Sequence, residues 1–180
     1  MNKFPRSAYV HIPFCHRRCF YCDFAVIPLG NKVETLQGYG SKTVKEYLHF
    51  LYKEILSIKH KSPLSTIYVG GGTPSILDPQ QIKQLIDLFK ENYGVDYGAE
   101  ITMEVDPASF NLDDLHGFIN AGINRFSLGV QSFNNQILQK SGRRHLREDA
   151  EKSCLWLKKV YSAGLIKSWS LDLIQNLPLS

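Results

Sequence analysis

The sequence predicts an α/β protein built around a parallel sheet. Short apolar runs alternate with segments of helical periodicity along the 180 residues, and this alternation is typical of parallel strands joined by right-handed helical crossovers. The chain is 43% hydrophobic and 21% charged, as expected for one globular domain. Polar residues or glycines lie at or just after the ends of the predicted strands, and ligands of parallel α/β proteins bind at this carboxyl edge. A binding site is therefore expected there.

The first half of the chain is predicted to contain two strands and two helices. A strand covers 7–12, and a helix covers 43–58 because its apolar residues recur every three or four positions. The apolar run 66–69 forms the second strand and ends in three glycines, 70–72. Asp78 and Pro79 are favoured as the cap and the first residue of a helix, whose apolar face extends to Phe89.

The second half is predicted to add three strands and two helices. The strands cover 100–105, 126–130 and 168–174. One helix begins at the cap residue Asn111 and ends at Gly122, since glycine readily adopts the left-handed conformation of a helix end. The other covers about 147–161 and is closed by Gly164. No linker, repeat or low-complexity tract divides the sequence, so a single domain is expected.

Charge and cysteine usage limit the classes of function. The 21 Lys and Arg residues against 17 Asp and Glu residues give a net charge of +4, too small to indicate a nucleic-acid partner. The first apolar run is too short for a signal-peptide core, and no stretch would span a membrane, so a cytoplasmic protein is expected. Three of the four cysteines crowd into eight residues, which favours a metal site over disulfides.

This cysteine triplet is the strongest functional signal. Cys15, Cys19 and Cys22 form a C-x3-C-x2-C array directly after the first strand. A 4Fe-4S cluster is held by thiolates, so three of them would leave one iron open for a ligand. The alternative is a zinc site completed by His11 or His16, since zinc also accepts three thiolates and an imidazole. Structural zinc ligands normally come as two separated pairs, and the sequence has no second pair.

Residues 9–24, Tyr-Val-His-Ile-Pro-Phe-Cys-His-Arg-Arg-Cys-Phe-Tyr-Cys-Asp-Phe, resemble the radical S-adenosylmethionine (SAM) superfamily, and within it the coproporphyrinogen III oxidase-like branch. The resemblance implies a 4Fe-4S cluster whose open iron is chelated by SAM. It also implies reductive cleavage of SAM to methionine and a 5′-deoxyadenosyl radical, with the protein positioning and shielding the reaction. The fold it implies is a parallel partial (β/α)6-type barrel resembling a TIM barrel, here truncated after about five β/α units.

The same resemblance implies which residues bind SAM. The Gly-Gly-Gly-Thr-Pro loop would contact the methionine end, and a carboxylate can accept hydrogen bonds from ribose hydroxyls. The implied cofactor-binding residues are Tyr9, Tyr21, Gly71, Gly72, Thr73, Glu104, Gln131, Arg143 and Asp172. The alternatives are a plain strand-to-helix turn for the glycines, a solvated acid for Glu104 and core packing for the tyrosines. The sequence identifies no catalytic residue.

Other conspicuous residues have simpler explanations. Cys154 lies in an amphipathic helix and is interpreted as a small core residue rather than a ligand. His145 matches a family pattern, but an exposed loop histidine is an equal alternative. Trp156 and Trp169 are expected to be packing residues.

The triplet's surroundings distinguish two branches of the family. The coproporphyrinogen oxidases proper carry another cysteine where this chain has Phe24, so the loop is more similar to the HemW-type haem chaperones. The leading hypothesis is a radical SAM protein that binds haem and passes it to an acceptor protein. The alternatives are oxidative decarboxylation of coproporphyrinogen III, and an inactive fragment or metal-binding module that does not use SAM.

The resemblance covers 7–178, and family members continue into a C-terminal part. The chain 1–180 is therefore expected to be an incomplete radical SAM core domain whose last strand exposes an unpaired edge. Asn176 and Leu179 stand where the family has glycines. A separately expressed chain is expected to be unstable or to associate.

Overall fold

The computed structural model describes residues 5–30, 39–58 and 62–177 and contains two sheets. The larger is a 5-stranded sheet built from β1 (Ser7–Ile12), β4 (Leu64–Gly71), β5 (Val95–Val105), β6 (Arg125–Gln131) and β7 (Ser168–Leu173). The smaller pairs β2 (Phe14–Cys15) with β3 (Ile27–Pro28). The helices are α1 (Tyr39–Ser57), α2 (Pro79–Asn92), α3 (Leu112–Ala121), α4 (Asn135–Lys140) and α5 (Arg147–Ser162), with a short 3-10 helix at Pro74–Ile76.

The strands of the larger sheet follow one another in chain order, β1-β4-β5-β6-β7, and every neighbouring pair is parallel. A doubly wound sheet would reverse direction at a switch point. This sheet has none, so it winds in one sense, as the wall of a barrel does. The α/β fold class with a parallel, partial barrel-like sheet is thereby confirmed.

Capping explains where the central helices begin. The Asp78 side chain accepts hydrogen bonds from the backbone N–H groups of Gln80 and Gln81. The Gln81 side-chain oxygen in turn accepts one from the Asp78 N–H, which completes a capping box. Asn111 caps α3 in the same way. Gly122 ends α3 at a φ of 109°, a left-handed conformation that glycine adopts without strain.

Several predicted boundaries are too short. α1 begins at Tyr39 rather than at 43, β4 covers Leu64–Gly71 rather than 66–69, and β5 begins at Val95 rather than at 100. The extensions of the two strands, β4 and β5, carry Gly, Asp and Ser, which are poor strand formers. Pairing with neighbouring strands overrides that local preference. The strands β2 and β3 and the helix α4 were not predicted, since each is too short to show a period.

The core lies between the sheet and the helices that cover it. Phe118 on α3, and Met103 and Phe126 on the central strands, are almost fully buried. Cys154, Trp156 and Trp169 are half-buried and pack against this core, in agreement with their interpretation as packing residues. Within the described residues β7 pairs only with β6, and 57% of the Leu173 side chain is exposed at this edge. No helix in the described ranges is long and apolar enough to cross a bilayer.

Candidate functional site

A cavity of about 540 Å³ opens at the carboxyl ends of the sheet strands. This volume lies within the usual range for small-molecule sites, about 300–1,000 Å³. Its lining brings together the predicted metal and cofactor residues from six separate segments of the chain: Cys15, Cys19, Tyr21, Cys22, Gly71, Gly72, Thr73, Glu104, Gln131, Arg143 and Asp172.

The three cysteines enter the cavity from the loop that follows β1. Cys15 ends β2 and is buried, whereas Cys19 and Cys22 are half-buried in a turn closed by the Cys22 N–H on the Cys19 carbonyl, 3.1 Å apart. Burial raises the pKa of the Cys15 thiol, and the Thr73 hydroxyl, 3.5 Å from its sulfur, opposes this rise. All four cysteines are free thiols. The loop therefore offers three sulfur ligands to one cavity.

The geometry of this loop does not favour a mononuclear zinc site. Across residues 5–30, 39–58 and 62–177, no three side chains among His, Cys, Asp and Glu converge as one metal ion would require. Both ring nitrogens of His11 have partners, since Nδ1 lies 3.1 Å from the Tyr9 hydroxyl and Nε2 lies 3.1 Å from the Ala25 carbonyl. His11 is thus not available as a fourth ligand. His16 lines the cavity beside the cysteines.

The glycine loop is packed too tightly for any side chain. A Cβ atom on Gly72 would lie 2.6 Å from the Phe14 carbonyl oxygen and 2.9 Å from the Cys15 sulfur. A Cβ on Gly71 would lie 2.8 Å from His11 Nδ1, and Gly71 has a left-handed φ of +116°. A plain strand-to-helix turn would not require two glycines pressed against the cysteine loop. The glycines hold that loop against the end of β4.

Glu104 is tied to the same loop. Its Oε1 accepts a hydrogen bond from the Tyr68 hydroxyl at 2.8 Å, and its Oε2 accepts one from the Gly71 N–H at 3.1 Å. Burial and the nearby carboxylate raise the pKa of Tyr68, so the phenol stays protonated and keeps donating. Glu104 is therefore a fixed carboxylate at the cavity wall rather than a freely solvated acid.

The opposite wall is polar. Arg143 donates to the carboxylate of Asp106 and to the Gly129 carbonyl, the latter at 2.6 Å, and its Nη1 lies 3.7 Å from the Cys19 sulfur. Burial is the largest single influence and opposes the charged guanidinium, but Asp106, Tyr21 and Cys19 together outweigh it and raise the pKa of Arg143. Asp172 accepts a hydrogen bond from the Ser127 hydroxyl at 2.9 Å.

Gln131 ends β6 with a left-handed φ of 68°. This conformation costs a residue with a side chain about 1–2 kcal/mol. Strained backbone of this kind is concentrated at functional sites, where the surrounding structure enforces it. Asn176 also has a left-handed φ, 60°, which asparagine tolerates better than most residues. Leu179 lies outside the described residues.

One prediction stays untested and two alternatives are wrong. Tyr9 is not among the residues that line the cavity and 60% of it is exposed, but its ring stacks at 6.0 Å on Tyr68, which donates to Glu104, so its contact with SAM stays a prediction. Tyr9 is not a core residue. His145 is not an exposed loop histidine but is fully buried beside Arg143.

Sequence reasoning missed Asp106 and Ser127, which both line the cavity. A signal for Asp106 was present, because it directly follows β5 at the carboxyl edge of the sheet, where ligands of parallel α/β proteins bind. Ser127 lies in the middle of β6 and carries no such signal.

Comparison with known proteins agrees with this geometry. The Radical SAM superfamily profile matches residues 9–168. The heme chaperone HemW of Synechocystis is 42% identical over 97% of this chain and 40% of its own length. The oxygen-independent coproporphyrinogen III oxidase of Salmonella typhimurium is 37% identical over 97% of this chain and 36% of its own length.

A solved structure supports the same relationship. Coproporphyrinogen III oxidase (HemN) from Escherichia coli, described as a Radical SAM enzyme, superposes with a TM-score of 0.80 at 34% identity, covering 98% of this chain and 38% of that one. The chain spans about two fifths of the length of these relatives. Because the family profile covers most of the sequence, the chain belongs to the Radical SAM superfamily.

Proposed function

We propose that the chain binds a 4Fe-4S cluster through Cys15, Cys19 and Cys22, binds SAM beside it, and serves a haem chaperone that delivers haem to an acceptor protein. The observation that supports this most strongly is the shared cavity. Three free thiols and the polar ends of four parallel strands face one space of about 540 Å³. On this proposal, residues 1–180 form part of a radical SAM core domain.

The residues present fit such a cluster. A thiolate donor set suits iron-sulfur centres, and the three free thiols line one cavity. The glycine loop presses its backbone against Cys15, which fixes that ligand in place. The Thr73 hydroxyl, 3.5 Å from the Cys15 sulfur, can donate to it once it is ionised.

The remaining wall residues would bind SAM. When present, the cluster supplies the electron that cleaves SAM reductively. The backbone of Gly71 and Gly72, which lines the cavity, would contact the methionine end, and Glu104, held by Tyr68, would accept hydrogen bonds from ribose hydroxyls. Tyr21, Thr73, Gln131, Arg143 and Asp172 complete the proposed set. The low solvent exposure of Arg143 and Asp106 would limit the access of water to a reactive intermediate.

Two functions remain in competition at the level of the whole protein. The haem chaperone is favoured by the 42% identity to the Synechocystis chaperone and by the resemblance of the cysteine loop, at Phe24, to the chaperone class. The alternative is an oxygen-independent coproporphyrinogen III oxidase, supported by the 34% identical HemN structure. A chaperone would bind haem and pass it on unchanged, whereas an oxidase would convert coproporphyrinogen III. Haem-binding and turnover assays therefore separate the two functions.

Anaerobic reconstitution tests the proposal directly. The protein is loaded with iron and sulfide, and electron paramagnetic resonance spectra are recorded with and without SAM. We expect a 4Fe-4S signal that SAM changes. Stoichiometric uptake of zinc with refusal of iron, or a cluster signal indifferent to SAM, would overturn the assignment. Stable haem binding without conversion of coproporphyrinogen III supports the chaperone, and turnover without stable haem binding supports the oxidase.

A further inference from the structure

Arg143 brings a positive charge to the sulfur of one cluster ligand. Only 11% of its side chain is exposed, and its Nη1 lies 3.7 Å from the Cys19 sulfur. Its other terminal nitrogen, Nη2, faces away from Cys19 toward the Asp106 carboxylate and the Gly129 carbonyl. The direction of the Nη1–H group toward the thiol therefore depends on what holds Nη2.

His145 is a third acceptor beside Nη2, whose two hydrogens are shared among Asp106, Gly129 and His145. The tautomer of His145 follows from its neighbours. The ring is fully buried, and its Nε2 lies 3.0 Å from the Val130 carbonyl oxygen. A carbonyl can only accept a hydrogen bond, so Nε2 carries the proton. In a neutral ring Nδ1 is then an acceptor, and it lies 3.3 Å from Arg143 Nη2.

The environment keeps the ring neutral. Burial lowers the pKa of His145, and the charge of Arg143 adds to this effect against the opposing influence of Asp106. A protonated ring would have no free lone pair for the guanidinium. The neutral imidazole thus bridges the β6 backbone and Arg143, and it helps to fix the guanidinium plane at Nη2 while Nη1 lies beside Cys19.

We propose that His145 is a positioning residue: it holds the Arg143 guanidinium on the Cys19 sulfur and thereby makes a cluster at this site easier to reduce. The physical reason is that hydrogen bonds and positive charge at a cluster sulfur stabilise the extra electron of the reduced form. This inference rests on the proposed function, since it requires a cluster bound by Cys19.

The test measures the midpoint reduction potential of the reconstituted cluster in the absence of SAM. His145→Phe removes the acceptor while retaining an aromatic ring of similar size, and we expect the potential to shift to more negative values at unchanged iron content. His145→Gln can both donate to Val130 and accept from Arg143, so it should restore the potential. His116→Gln, on the exposed face of α3, is the matched control and should leave the potential unchanged.

The outcomes separate this inference from the proposed function. A wild-type protein that holds no cluster would overturn both. A His145→Phe protein with full iron content and the wild-type potential would overturn the positioning role alone. If that variant does not fold, Arg143→Lys tests the same contact, because an ammonium group cannot span Asp106, Gly129 and Cys19 with one planar fork. A wild-type potential in Arg143→Lys would also overturn the inference.

Discussion

Gly72→Ala should reduce iron binding by more than its loss of folding stability alone would cause. Gly72 has no left-handed φ, so the added methyl group acts by steric contact alone, 2.6 Å from the Phe14 carbonyl and 2.9 Å from the Cys15 sulfur. Phe14 is fully buried and cannot move aside freely. Overpacking of this kind costs about 1–3 kcal/mol. Relief of the contact has to displace the cysteine loop, so we expect loss of iron binding as well.

Gly98→Ala provides a control of similar energetic cost. Gly98 has a φ of +81° and no atom within 4 Å of an added Cβ, so the substitution introduces backbone strain without a collision. That strain costs about 1–2 kcal/mol, and Gly98 does not line the cavity. Urea unfolding gives the free energy of unfolding, and iron content after reconstitution reports the site. Comparable destabilisation with iron lost only from Gly72→Ala is expected; wild-type iron content and stability in Gly72→Ala would refute the steric argument.

Three further predictions concern the ligands, the pH dependence and one helix cap. Cys19→Ala should abolish the cluster signal in electron paramagnetic resonance, whereas Cys154→Ala, on the core-facing side of α5, should leave it intact; the reverse pattern would contradict the ligand set. The buried His145 has a lowered pKa, so below about pH 6.5 the unfolded chain binds a proton that the folded chain does not. The contribution of His145 to the free energy of unfolding is therefore fully present above that pH and is lost as the pH falls. His145→Phe should reduce the slope of this decline, and identical slopes in the two proteins would contradict the prediction. Asp78→Ala removes both cap bonds of α2 and should lower the free energy of unfolding by about 1 kcal/mol in urea titration. No measurable loss would mean that water replaces the cap.

Local chemistry explains which parts of the fold were predictable. Asp78-Pro79, Asn111 and Gly122 are caps whose side chains or backbone freedom act within a few residues, so the sequence identifies the helix ends that they form. The extension of β5 back to Val95 depends on pairing with β4, and this partner is distant in the sequence. The helix α4 has six residues, too few to show periodicity.

The candidate site shows the same division. The spacing of Cys15, Cys19 and Cys22 is a short-range property of one loop, and the sequence alone predicted the sulfur ligands and identified the superfamily. The tertiary structure decided which distant residues share the cavity. It placed Tyr9 on Tyr68, outside the cavity lining, and buried His145 against Arg143. The physical reason is that donor chemistry belongs to the residue itself, whereas burial, tautomer and hydrogen-bond partner are created only when separate strands of the sheet come together.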